Sequence, residues 1–340
     1  MGSMILLLAA TVAAGGCALS APTWKGPISD HFDGTKFKTP DAPTERTGGF
    51  FKWQLERKPG VWKAYRDEPL GAPPPHHVDA GQMRVTFINH ATTLIQLDGV
   101  NVLTDPIYAE RASPFSFVGP RRVRPPGIKF EELPPIHAVV ISHNHYDHLN
   151  LETLKRLQTA FPHMALFAGL GIGPFLEKQG LRNVHELDWE QARKVAGVTV
   201  RSVRNQHFSN RGLFDNDGTL WSAWVLEGPT AGKAYFAGDT GYGPHFKDVG
   251  TRHGPFRLAV LPVGAYKPEW FMGPIHQDPT QAVQAAFDLR AATSVPMHYG
   301  TFELADEGEV EAIEALQKAM EERPGSGFVV LGFGEGRDLQ

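Results

Sequence analysis

Apolar and polar positions are spaced differently along successive stretches of this chain. Residues 4–14 (MILLLAATVAA) are an unbroken apolar run, followed by Gly15, Gly16 and Cys17. Residues 18–80 carry many prolines, lysines and aromatics but no sustained period of 2 or 3.6. An extended arm is expected there, with Phe50, Phe51, Trp53, Trp62 and Tyr65 packing as anchors on the rest of the protein. From Met83 the pattern becomes regular. Segments 83–88, 93–97 and 100–104 read as short strands, with Asp98-Gly99 turning between the last two. Residues 137–142 (HAVVIS) read as a buried strand, and Leu151, Leu154, Leu157 and Phe161 mark the apolar stripe of a following helix. Further strands are expected at 198–203, 220–226, 234–237, 258–263, 294–297 and 328–331. Asp278-Pro279-Thr280-Gln281 supplies an N-cap, a proline at N1 and Gln at N3, with Val283, Ala286 and Phe287 on the helix's inner face. A last helix near 309–322 is expected to turn Val310, Ile313, Leu316 and Met320 inward. Groups of strands separated by helices predict an α/β protein of stacked sheets covered by helices, not a strict βαβ alternation.

Composition narrows the chemistry. The 340 residues carry 33 Lys+Arg against 37 Asp+Glu, a net charge of −4, which gives no general attraction to nucleic acid. A single Cys excludes an internal disulfide framework and any Cys-rich zinc or iron–sulfur site. A transition metal would have to be held by carboxylates and by some of the fifteen His. The apolar run at 4–14 is shorter than the ~20 residues that span a bilayer, but it suits a secretory signal. The small residues directly before Cys17 resemble a bacterial lipobox. Residues 1–17 are therefore expected to be a lipoprotein signal segment, with Cys17 lipidated and the protein held on the periplasmic side of the cell envelope. An uncleaved anchor, or a cytoplasmic chain with an apolar start, is the alternative.

The decisive segment is Ser142-His143-Asn144-His145-Tyr146-Asp147-His148. Four ligand-type side chains follow a buried strand within six residues, and imidazole with carboxylate suits Zn²⁺ or a similar metal. Three later positions stand where apolar strands run out: His207 after 198–203, Asp239 after 234–237 and His298 after 294–297. Each alone would be an ordinary turn residue. Together they converge on one sheet edge.

At these residues the chain resembles the metallo-β-lactamase superfamily, whose HxHxDH signature is met by His143, His145, Asp147 and His148. More narrowly it is similar to N-acyl phosphatidylethanolamine-hydrolysing phospholipases D and their bacterial relatives. That likeness rests on the stretch from Ile141 to Leu149, on Ala112-Ser113-Pro114, on Phe236 to Tyr242, on Gly264-Ala265-Tyr266 with Trp270-Phe271-Met272, and on His298 to Phe302. The resemblance implies an αββα sandwich over residues 81–340, two mixed sheets flanked by helices, with residues 18–80 as the arm. It implies two zinc ions, other divalent metals being alternatives. One ion would lie on His143, His145 and His207 and the other on Asp147, His148 and His298, with Asp239 bridging.

The implied reaction is phosphodiester hydrolysis of N-acyl phosphatidylethanolamine or a similar glycerophospholipid by a metal-bridged hydroxide attacking phosphorus. Asp147 would also orient the nucleophile, and His276 would face the substrate as a proton donor. His90 and Asp105 would support the ligands from behind, although His90 reads equally as a strand-end core residue. Tyr266, Trp270, Phe271 and Met272 would line an acyl groove or simply fill core. The expected partners are membrane phospholipid and, through the anchor, the membrane surface; a homodimer is also open. A lactonase, a soluble-phosphodiester hydrolase and a non-catalytic metal-binding lipoprotein are the alternatives.

Overall fold

Strands β1 (Met83–Asn89), β2 (Thr92–Leu97) and β3 (Val100–Thr104) form an antiparallel meander. The turn between β2 and β3 places Asp98 and Gly99 at positive φ, as a tight hairpin requires. Strands β4 (Ala138–Val140), β5 (Ala165–Gly169) and β6 (Val184–Leu187) then add in parallel, and β13 (Gly336–Leu339) closes the other edge against β1. The second sheet is built from β7 (Ala192–Val195), β8 (Val198–Val203), β9 (Ala223–Glu227), β10 (Lys233–Phe236), β11 (Phe256–Pro262) and β12 (Ala291–Met297). Its order is β12-β11-β10-β9-β8-β7, antiparallel from β7 to β10 and parallel from β10 to β12. Both sheets are mixed. This computed structural model describes residues 20–340 apart from 22, 41, 43–48 and 213, so the signal segment and Cys17 lie outside the described residues.

Side-chain alternation explains the layering. In the first sheet Val85, Phe87, Ile95, Val102, Val140 and Phe167 point into the core shared with the second sheet. Their neighbours Ile88, Leu94, Leu103, Val139, Ile141 and Leu166 point the other way, under α2 (Leu151–Ala160) and α3 (Gly173–Lys178). Burial on both faces makes these strands near-continuous apolar runs. On the far side, α4 (His245–Arg252), α6 (Pro279–Asp288) and α7 (Glu311–Glu322) bring Phe246, Val249, Val283, Ala286 and Leu316 onto the second sheet. The layers run helix, sheet, sheet, helix.

Local signals act as the sequence indicates at two helix starts. Asp278 and Gln281 form a capping box at α6, and Asn150 accepts from the Thr153 amide at α2. Other expectations change. Segment 328–331 makes one bridge, Phe328 to Ser294, and no strand; Phe328 and Leu331 bury at a spacing of three with Val329 and Val330 half-buried between them. Val310 precedes α7 and is exposed, so it does not face inward. In the arm, a short helix α1 (Gly49–Glu56) interrupts the extended course. Phe50 and Tyr65 are exposed rather than inserted, Phe50 lying edge-on to Trp53 and Tyr65 under Arg121. Trp53 is buried and Trp62 half-buried, while Phe32 and Phe37 are inserted beside Leu220 and Trp221. The completing element α5 (Glu269–Met272) is a single turn.

Candidate metal centre

The sheets meet at the edge formed by the C-terminal ends of β3, β4, β8, β10 and β12. There Ser222 donates its amide to the Ser142 carbonyl at 2.8 Å, and Trp224 its indole N–H to the Ile141 carbonyl at 3.1 Å. Gly238 packs so closely on this loop that a Cβ would lie 2.3 Å from that of Ser142, and its φ is +61°. Only glycine fits, and it delivers the next residue, Asp239, to the edge. Asn205 holds the same segment by donating its side-chain amide to the carbonyls of Ala237 and Asp239, both at 2.9 Å.

Seven side chains named from the sequence come together here in two groups. Nε2 of His143 lies 2.7 Å from Nδ1 of His145, which lies 3.4 Å from Nε2 of His207. Asp239 Oδ2 stands 3.1 Å from His148 Nε2, 3.0 Å from His298 Nε2 and 4.0 Å from His207 Nε2. Asp147 Oδ2 completes the second group, 3.2 Å from His148 Nε2 and 3.3 Å from His298 Nε2. Asp239 therefore touches both groups.

The residues behind them fix the ring orientations. Asp105 accepts from His148 Nδ1 at 2.7 Å and from the Ser142 hydroxyl at 2.5 Å, and Ser142 Oγ accepts from His143 Nδ1 at 2.8 Å. His207 donates Nδ1–H to the Ile275 carbonyl at 2.9 Å. These bonds assign the outward proton to Nδ1 and leave the Nε2 lone pair facing inward, the arrangement a metal ligand needs. His90 is buried beside the centre and donates Nε2–H to Asp147 Oδ2 at 2.9 Å. Ser142 and Asn205 are contributors that sequence reading passed over; the serine's place directly before the first His was the available signal.

The electrostatics differ between the two groups. Burial pushes the imidazoles of His145 and His207 down to about 3, and holds His143 well below the usual range. Burial also acts on His148, but Asp239, Asp147 and Asp105 outweigh it and raise that ring well above its ordinary value. His298, buried yet beside Asp239 and Asp147, is raised to about 9. Burial opposes ionisation of Asp147 and Asp239 as well, but the neighbouring histidines hold both carboxyls well below normal. Facing lone pairs in one group and buried carboxylates in the other suit cations. Asp239 Oδ1 is buried without a hydrogen-bond partner. The donor–donor spacings of 2.7–4.0 Å bracket the roughly 3.4 Å that separates nitrogens held tetrahedrally about 2.0–2.1 Å from a metal such as zinc. The donor set fits metal.

His276 stands at the junction, its buried, unpartnered Nδ1 3.9 Å from Asp239 Oδ2. Of the candidate groove residues, Phe271 stacks on Trp53 with centroids 5.3 Å apart, and Met272 joins the same buried cluster. Those two are core. Tyr266 is half-buried and Trp270 is exposed, with the Lys52 ammonium 4.7 Å from its ring centroid. Among the described residues, no helix is long and apolar enough to cross a membrane.

This architecture and centre define an α/β sandwich hydrolase that works with metal. The family model described as the beta-lactamase superfamily domain matches residues 100–299. An N-acyl-phosphatidylethanolamine-hydrolyzing phospholipase D 1 of Caenorhabditis elegans is 37% identical over 273 residues, 76% of this chain and 76% of that one. An uncharacterized protein of Mycobacterium tuberculosis is 40% identical over 274 residues, 79% of this chain and 72% of its own length. The solved structure of Igni18, a metallo hydrolase of Ignicoccus hospitalis, shares the fold, with a TM-score of 0.56 at 24% identity, covering 76% of this chain and 99% of that one. The chain belongs to the metallo-β-lactamase superfamily and is a metal-dependent hydrolase.

Proposed function

We propose that the protein is a zinc-dependent phosphodiesterase of phospholipase D type, acting on N-acyl phosphatidylethanolamine or a similar glycerophospholipid. The observation that carries the reading is the sorting of ligand atoms into two groups joined by Asp239. The substrate class draws support from the 37% identical relative whose name states that chemistry. His143, His145 and His207 would hold one ion, Asp147, His148 and His298 a second, and Asp239 both. Bound zinc supplies Lewis acidity toward phosphoryl oxygens and lowers the pKa of water to near 7.

The chain's own residues do the rest. Asp105, through His148 and the Ser142–His143 relay, fixes the imidazole tautomers and keeps the ligand atoms converged. Asp147 is steadied by His90, so its carboxylate keeps one orientation toward an attacking water. His276 is kept neutral by burial and lies between the two groups, where its ring can donate to a phosphoryl or leaving-group oxygen. Lipidation at Cys17 would keep the enzyme at the bilayer that holds its substrate.

The test uses the full chain and vesicles containing N-acyl phosphatidylethanolamine. Release of N-acylethanolamine and phosphatidic acid, abolished by chelator and by His145→Ala, is the expected result. Turnover of a lactone or a soluble phosphodiester, with the lipid untouched, would replace this reading with the corresponding alternative.

A further inference from the structure

Three of the inward-facing imidazoles are held from behind: His148 by Asp105, His143 by Ser142 and His207 by the Ile275 carbonyl. His298 differs. Its Nε2 faces Asp239 and Asp147, but its Nδ1 is buried without a hydrogen-bond partner. The backbone of His298 is tightly placed, with φ at +65° and its amide donating to the His90 carbonyl at 2.8 Å. Gly264 presses against it so closely that a Cβ there would lie 1.9 Å from the His298 carbonyl oxygen. Ring rotation is the freedom that remains.

Against His298 lies a cavity of about 10 Å³ that Glu307 also lines, with Trp62, Ala265 and Phe302 among its walls. That volume is about what one water requires, and a water needs at least two polar partners. Glu307 is 6% exposed. It accepts from the Ala265 amide at 2.5 Å and the Lys267 amide at 3.4 Å, and its own amide is a third donor, which leaves room on the carboxylate for one more. Neither a buried imidazole N–H nor a buried carboxylate tolerates a missing partner without cost.

We propose that Glu307 is a positioning residue for His298. One water in the cavity accepts from His298 Nδ1–H and donates to the Glu307 carboxylate. The link holds the tautomer and ring angle that turn the Nε2 lone pair toward the junction of Asp147 and Asp239. It does through water what Asp105 does directly for His148. The inference rests on His298 belonging to the metal centre and is independent of the phospholipid reading.

The experiment compares wild type, Glu307→Gln, Glu307→Asp and His298→Ala as full-length, metal-depleted proteins titrated with zinc against a chromophoric chelator. Glu307→Gln keeps the size of the side chain and an acceptor for the Ala265 amide. It is expected to weaken one zinc equivalent about 10–100-fold, the usual cost of losing a partner behind a ligand, and to leave the other unchanged. The Tm of the metal-free protein should stay at the wild-type value. Glu307→Asp retains the charge in a larger cavity and should recover part of the lost affinity. In the zinc-loaded wild type, a histidine side-chain ¹H–¹⁵N spectrum should show an Nδ1–H resonance absent from His298→Ala and shifted in Glu307→Gln. Wild-type zinc affinity in Glu307→Gln overturns the proposal. So does a parallel fall of both equivalents with the metal-free Tm, which is the behaviour of a merely structural carboxylate. A wild type binding a single equivalent that His298→Ala leaves untouched removes its basis and overturns it too.

Discussion

His31 and the metal centre both bury histidine against carboxylate, with opposite results. His31 places Nδ1 2.6 Å from Asp30 and Nε2 2.8 Å from Asp188, and it stacks on Trp189 at 4.5 Å between centroids. Burial alone would lower its pKa, but Asp188 and Asp30 outweigh that and raise it. Both ring nitrogens are used, so the ring has nothing left for a ligand. At the centre, lone pairs of His143, His145 and His207 face one another, Asp239 Oδ1 has no partner, and three buried aspartates join the histidine clusters. Burial of titratable groups is common to both. What separates a structural clamp from a reactive site is whether the chain satisfies its own polar atoms.

Removing a ligand should break the comparison most severely. His145→Ala is expected to lower hydrolysis more than about 100-fold, beyond the usual cost of losing an outer partner, with a matching loss of bound metal in elemental analysis. Near-normal turnover would show that His145 is dispensable. Metal removal comes next. If the ion is present at about 100 times its Kd, chelation should cost about 2.7 kcal/mol of stability, read as a lower Tm. Exchange of the Trp24 and Phe37 amides, which bond to Gly218 and Asp217 beside the His31 clamp, should not change.

Asp105→Ala sharpens the picture from behind the ligands. It removes the acceptor for both His148 Nδ1 and the Ser142 hydroxyl, and should weaken metal binding about 10–100-fold in a chelator competition. Unchanged affinity would mean that ring orientation is set elsewhere. The smallest effect belongs to the clamp. His31→Gln should cost about 1 kcal/mol locally and leave activity intact. Because the folded-state pKa of His31 is raised, its contribution is complete below the ordinary histidine pKa of about 6.5 and fades as pH rises through the folded value. Exchange of the Trp24 and Phe37 amides should therefore quicken with pH in wild type beyond the intrinsic rate, and do so less in His31→Gln.

The buried centre of each sheet was readable from apolar runs, as at Val100–Thr104 and Val198–Val203, where the observed bounds coincide with the pattern. The edges were not. β7 (Ala192–Val195, ARKV) and β13 (Gly336–Leu339, GRDL) are polar, exposed strands defined by their partners β8 and β1 rather than by side-chain alternation. Polar edges also protect a sheet from further pairing, so the signal is weak where the physics wants it weak. The arm behaved likewise. Phe32 and Phe37 find a pocket beside Trp221 that no local period announces, and Phe50 stays more than half exposed against Trp53.

For the site, residue type and spacing were sufficient to name the ligand-type side chains, because metal coordination needs a few specific donor atoms and strand ends deliver them. His143 to His148 could be read as a unit since they are local. What only the tertiary structure decided is how those donors are divided and held. The carboxylate of Asp239 reaches both groups because Gly238 lets the two sheets approach, Asp105 crosses from β3 to steady His148, and Glu307 arrives beside His298 from a loop with no motif of its own. These contacts join residues far apart in sequence, and their partners are chosen by packing distance, which a one-dimensional pattern does not carry.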